Sequence, residues 1–154
     1  MKSTPEQITF WIPGIPAPGG SKRFVGLSKK TGRAILVDDA GERNKNWRSI
    51  CATVGAQAMS GKVVFEGPLY VEFNFRMPRP KGHFGSGKNA ANLKASAPAY
   101  PVTKPDVLKL SRSTEDALTG IVWRDDCQTV TLLASKWFAE NGKCGCEVLI
   151  RPRS

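Results

Sequence analysis

Residues Lys104–Val130, KPDVLKLSRSTEDALTGIVWRDDCQTV, change their repeat partway along and so decide which elements surround them. Val107, Leu110, Thr114, Ala117 and Leu118 fall on one stripe at 100° per residue, which predicts a helix closed by Gly120. An apolar bend, IVWRDD, then leads into CQTVTLLASKWF, which reads as a strand. The same stretch gathers Asp106, Glu115, Asp116, Asp125 and Asp126, five of the chain's 13 carboxylates, in a protein of formal net charge +10. A basic chain has room to disperse its acids, so the crowding calls for a cause.

Working outward, PLYVEFNFRM alternates strictly, with Leu69, Val71, Phe73 and Phe75 on one face, which predicts a half-buried strand. QITFWIPGIP reads as a strand ending in a Pro/Gly turn, and APGGSKRF after it as a flexible basic loop. A short strand at Ala34–Val37 precedes a helix from about Asn44 to Met59, whose Trp47, Ile50, Cys51, Val54 and Ala58 recur at helical spacing before Gly61. Residues 78–101, rich in Pro, Gly, Ala and Lys, read as a mobile loop, of a length that is usually functional or disordered. After a turn at Glu140–Lys143, CEVLIRP supplies a last strand. The predicted class is α+β: one domain over residues 1–154, with a small mixed or antiparallel sheet and two main helices.

At 154 residues and 40% hydrophobic, the chain can bury a core of ordinary size. Its 23 lysines and arginines attract polyanions, of which DNA and RNA are the commonest. No basic amphipathic helix, lipidation signal, secretory leader or membrane-spanning run is visible, so the expectation is a cytoplasmic protein without a membrane partner. Cys144 and Cys146 form a C-x-C, but no second pair stands at zinc spacing and His83 is the one histidine. Reduced structural thiols are expected, with both on one strand face.

On the first-quoted helix, Lys109, Arg112, Glu115 and Asp116 share a polar face, and Asp106 stands at its beginning. A strand packed beside the helix can return Asp126 toward Asp106. Carboxylates that crowd together repel unless a cation intervenes. Mg²⁺, with Mn²⁺ as substitute, is a hard ion that takes such oxygens, and it can polarise a phosphodiester and orient water. The other reading stays open: Asp106 caps the helix, Glu115 and Asp116 are solvated or paired with Arg112, and Asp125–Asp126 is a turn. A Gly-rich phosphate loop is lacking, since GHFGSGK has neither the spacing nor the context.

Taken together these residues resemble the signature of the RusA family of Holliday-junction resolvases. The pattern is matched at Pro105, Asp106, Lys109, Leu110, Arg112, Asp116, Ala117, Leu118, Asp125, Asp126 and Gln128, and FWIPGIPAPGGSKR is similar to the family's opening strand and turn. The resemblance implies a homodimeric, Mg²⁺-dependent endonuclease acting on branched DNA, nicking four-way junctions symmetrically. It implies that Asp106 and Asp126 bind metal and are catalytic, with Arg112 in the place of an essential basic residue. One position departs: the family's second aspartate is Leu108 here, and leucine cannot ligate a metal. Glu115, two turns further along nearly the same azimuth, is the candidate replacement, giving a metal set of Asp106, Glu115 and Asp126, with Asp116 and Asp125 beside it. The alternative is a catalytically silent DNA-binding relative. Candidate DNA contacts are Lys22, Arg23, Lys109, Arg112, Lys136 and the loop's Arg79, Lys81 and Lys88, of which Arg112 and Lys136 have the motif's support. Trp123 is a candidate wedge into a junction, or else packing.

Overall fold

The computed structural model describes residues 2–19, 22–38 and 41–154, and for residues 22–24 and 36–38 the backbone alone. Its spine is β4 (Leu69–Met77), the alternating PLYVEFNFRM segment, with Leu69, Val71, Phe73, Phe75 and Met77 all buried. β4 pairs antiparallel with β6 (Gly145–Pro152) on one side and parallel with β5 (Thr129–Phe138) on the other. β1 (Ile8–Pro13) pairs antiparallel with β6, so the mixed sheet runs β1-β6-β4-β5 and β5 is its edge.

Two strands joined in parallel need a crossover. Here residues 78–106 and α2 (Val107–Leu118) provide it. α1 (Gly41–Ala58) lies against β1 and α2. Trp47 and Cys51 of α1 are fully buried, while Ile50, Val54 and Ala58 pack partly buried against the core. The two helices approach so closely at Gly55 that a Cβ there would stand 2.7 Å from Leu118 Cδ2. Two buried hydrogen bonds tie them: Asn44 Nδ2 donates to Ser113 Oγ at 2.7 Å, and Trp47 Nε1 to Thr114 Oγ1 at 3.0 Å. Each satisfies groups whose burial unpaired costs about 1–3 kcal/mol.

The basic stretch expected as a flexible loop is partly a strand. β2 (Lys22–Leu27) pairs antiparallel with β3 (Ala34–Asp38) in a separate two-stranded sheet, with a register shift at Phe24/Gly26. Gly26, at φ +145, breaks the alternation by which a strand is recognised. Trp123 is fully buried, its indole N–H donated to Thr119 Oγ1, so it is core and not a wedge. All four cysteines are free, and burial pushes the Cys51 thiol up to about 12 and Cys146 well above the ordinary thiol range. No helix among the described residues is long and apolar enough to cross a membrane.

Candidate metal centre and nucleic-acid face

α2 starts at Asp106, whose Oδ1 accepts the backbone N–H of Lys109 at 2.8 Å, an N-cap worth about 1 kcal/mol. Its Oδ2 stands 3.9 Å from Lys109 Nζ in an exposed pair. Lys136 of β5 reaches the same end of the helix, donating from Nζ to the carbonyls of Thr103 and Pro105, both at 2.9 Å. Two of the three ammonium hydrogens are thus committed to holding the chain where it enters α2.

The other end of α2 is acidic. After Leu118 the buried Val122–Trp123 bend turns the chain, and a short 3₁₀ turn, Asp126–Gln128, delivers it to β5. Gln128 fastens that turn: its Oε1 accepts the backbone N–H groups of Arg124 and Asp125, and its Nε2 donates to Phe65 and Gly67 carbonyls. Asp125 Oδ1 accepts the Cys127 backbone N–H at 2.9 Å. That bond, with further contacts from the Cys127 thiol and Asp126, holds the Asp125 carboxyl below its usual range. The same carboxylate keeps the Cys127 thiol protonated by raising its pKa.

Glu115 lies half-buried at this end. Burial raises its pKa, the negative charges of Asp126 and Asp116 raise it further, and the nearby Thr129 hydroxyl opposes them. That hydroxyl opposes the shift more than either like charge adds to it, and it is itself buried without a well-formed hydrogen bond. Asp116 and Arg112 are exposed, and among the described residues Arg112 forms no ion pair with Asp116.

Asp126 therefore acts on Glu115. Helix rise separates Asp106 from Glu115 by about 13 Å. Among the described residues, the acids and thiols whose ligand atoms all lie within 4.8 Å of one another are Asp125, Asp126 and Cys127; one chain does not bring Asp106, Glu115 and Asp126 into such a group. The donor chemistry suits a hard cation: carboxylate oxygens are available, while the protonated Cys127 thiol is a poor ligand for Mg²⁺.

The basic candidates divide. Lys109 and Arg112 are exposed on α2, and Lys81 and Lys88 on the long connection. Arg79 is committed to structure: its guanidinium stacks 3.9 Å over the Phe138 ring and donates to the Pro98 carbonyl. That connection carries short 3₁₀ turns at Lys81–His83 and Gly87–Asn89 and a bridge between Phe84 and Leu93. The side chains of Lys22 and Arg23 lie outside what is described. Sequence reasoning missed a cavity of about 710 Å³ between α1 and residues 98–105, with Arg43, Lys104 and Lys136 in its walls and no carboxylate.

An α+β domain with a strand-crossover-strand unit thus carries exposed cations along α2 and acids at its end. The chain matches the family described as "Endodeoxyribonuclease RusA" over residues 13–151, and it belongs to that family. It is also similar to the "Uncharacterized protein YqaN" of Bacillus subtilis (strain 168), 29% identical over 144 residues that cover 94% of this chain and 95% of the relative.

Proposed function

We infer that the protein is a Mg²⁺-dependent, structure-selective endodeoxyribonuclease that resolves four-way DNA junctions by paired, symmetric nicks as a homodimer. The observation that carries this reading is the half-buried Glu115 carboxyl set among Asp116 and Asp126, in a chain of the RusA family. A structural face does not gain by placing a carboxylate where burial and two like charges all oppose its ionisation. A bound cation reverses that penalty.

On this reading Glu115 and Asp126 bind the ion, with Asp116 and Asp125 beside them; when bound, the ion polarises the phosphodiester and lowers the pKa of water. The chain's own part is positioning. Lys109 and Arg112, one turn apart on the exposed face, hold DNA phosphates between the two ends of the helix, and Arg112 also meets charge developing on the scissile phosphate. Lys136 keeps the start of α2 fixed against β5. Gln128 fixes the turn bearing the two aspartates.

Leu108 favours a second reading. It is 75% exposed where the family carries an acid, as in a relative that keeps the fold and binds DNA without cutting. The two are separated by incubating a synthetic mobile junction with the protein in Mg²⁺, with linear duplex and Asp126→Asn as controls. Symmetric cuts in the junction alone, absent from Asp126→Asn, support the nuclease; tight junction binding without cleavage supports the silent relative.

A further inference from the structure

We propose that the cavity beside the start of α2 takes an unpaired nucleotide, extruded from the branch point of the DNA. This use of the cavity rests on the proposed function for its branched DNA, and not on cleavage.

The cavity, about 710 Å³, falls within the roughly 300–1,000 Å³ of small-ligand sites. The buried Trp47 and Met77 and the half-buried Ile50 and Phe138 give it apolar walls. Seven of the described lining residues are prolines. Their fixed φ stiffens the walls, and their missing N–H leaves polar recognition to side chains. Those side chains stand at exposed positions: Arg43 and Asn46 on α1, Tyr100 and Lys104 on the crossover. Among the described residues the walls carry no carboxylate, and neither Arg43 nor Lys104 forms an ion pair.

A ligand that suits this arrangement is planar and apolar at one end and anionic at the other. A nucleotide is both. Its base stacks on Tyr100, whose ring is 56% exposed, and Asn46 offers an amide to the base edge. Its phosphate meets Arg43 and Lys104.

Placement selects the source of the nucleotide. Lys104 and Pro105 immediately precede Asp106, so the cavity adjoins the helix whose Lys109 and Arg112 hold DNA phosphates on the proposed reading. A strand followed along α2 toward its start arrives at the cavity. In linear duplex a base must be unpaired and unstacked before it can enter. At a branch point stacking is already interrupted, and that cost is least. The cavity thus gives a physical origin for preferring branched over linear DNA.

The test uses the whole chain in EDTA, so that binding is read without cutting. A four-way junction carrying 5-iododeoxyuridine at the branch point is irradiated with the protein, and the adduct is mapped by peptide mass spectrometry. The adduct is expected on Tyr100, with none there from labels placed in the arms. Asn46→Trp, which fills the cavity from an exposed position, should weaken junction binding roughly 10-fold or more and leave duplex binding and the melting temperature unchanged. Tyr100→Ala should do the same, whereas Tyr100→Phe, which keeps the ring, should bind like wild type. A branch-point label that crosslinks elsewhere overturns the proposal. So does an Asn46→Trp chain that binds the junction as wild type does, the result expected if the cavity instead receives a segment of a protein partner. Deoxyadenosine monophosphate that binds more tightly than the junction overturns the DNA source. A chain that gives the expected adduct but cuts no junction in Mg²⁺ contradicts the nuclease reading and leaves the cavity's role intact; one that cuts junctions without the adduct does the reverse.

Discussion

The two ends of α2 are built from the same helix and do opposite things. At the start, Asp106 is satisfied: it caps the helix, pairs with Lys109, and lies on a segment held by Lys136. At the far end, Glu115 is half-buried near like charges, its pKa raised by burial with the Thr129 hydroxyl opposing. The contrast teaches that a carboxylate's type says little about its role. Partners decide whether it is satisfied within the fold or left crowded among like charges.

The sharpest way to break the contrast is Asp126→Asn, which should lower Mg²⁺-dependent junction cleavage on the order of 100-fold or more. Junction affinity in EDTA should be unchanged or slightly raised, because removing an acid from a DNA-facing surface lessens repulsion. Gel-shift and cleavage assays on one preparation read both.

Next comes Asp106, which caps α2 and to which the family resemblance assigns metal binding as well. Asp106→Ser keeps the cap, whereas Asp106→Ala gives up about 1 kcal/mol of stability. If capping were its whole contribution, the serine variant would cleave like wild type. The expected outcome is that both variants lose cleavage alike while only alanine lowers the melting temperature.

Glu115→Gln is expected to cost roughly 10- to 100-fold in cleavage at limiting Mg²⁺. It also has a pH signature. Because the folded pKa of Glu115 is raised, its stabilising contribution is fully present below the unfolded glutamate value of about 4.3 and is lost as pH rises through the folded value. In EDTA at neutral pH the glutamine variant should therefore melt above wild type, and the gap should close on acidification toward that value. Equal melting curves at both pH values would remove the argument that this end is strained.

Lys136→Met gives the smallest effect. Losing two hydrogen bonds to the Thr103 and Pro105 carbonyls should cost about 1–2 kcal/mol of stability and weaken junction binding a few-fold. A larger fall in affinity than in stability would mean that Lys136 meets phosphate directly.

Much of this organisation was legible in the sequence because it is periodic. β4 alternates over nine residues, and of the predicted α2 stripe Leu110, Thr114, Ala117 and Leu118 are buried while Val107 packs partly buried against the core. Ser111 and Ser113 are buried as well, and no periodicity marks them; Ser113 meets Asn44 of α1, a partner that local spacing does not encode. Gly55 likewise looks like a helix weakness until Leu118 is found against it. The hairpin of β2 and β3 stayed hidden behind Gly26, which interrupts its alternation. At the site, composition marked the acids, but not which of them meet. That depended on the direction of β5 relative to α2, a tertiary fact that no local spacing encodes.

Mn²⁺ titrated into isotope-labelled protein, with paramagnetic broadening followed amide by amide, tests most directly whether these acids clasp a divalent ion. The account predicts that the Glu115, Cys127 and Thr129 signals disappear first, at substoichiometric Mn²⁺, and return with EDTA. Signals there that survive excess Mn²⁺, or broadening spread evenly over the surface, would contradict it.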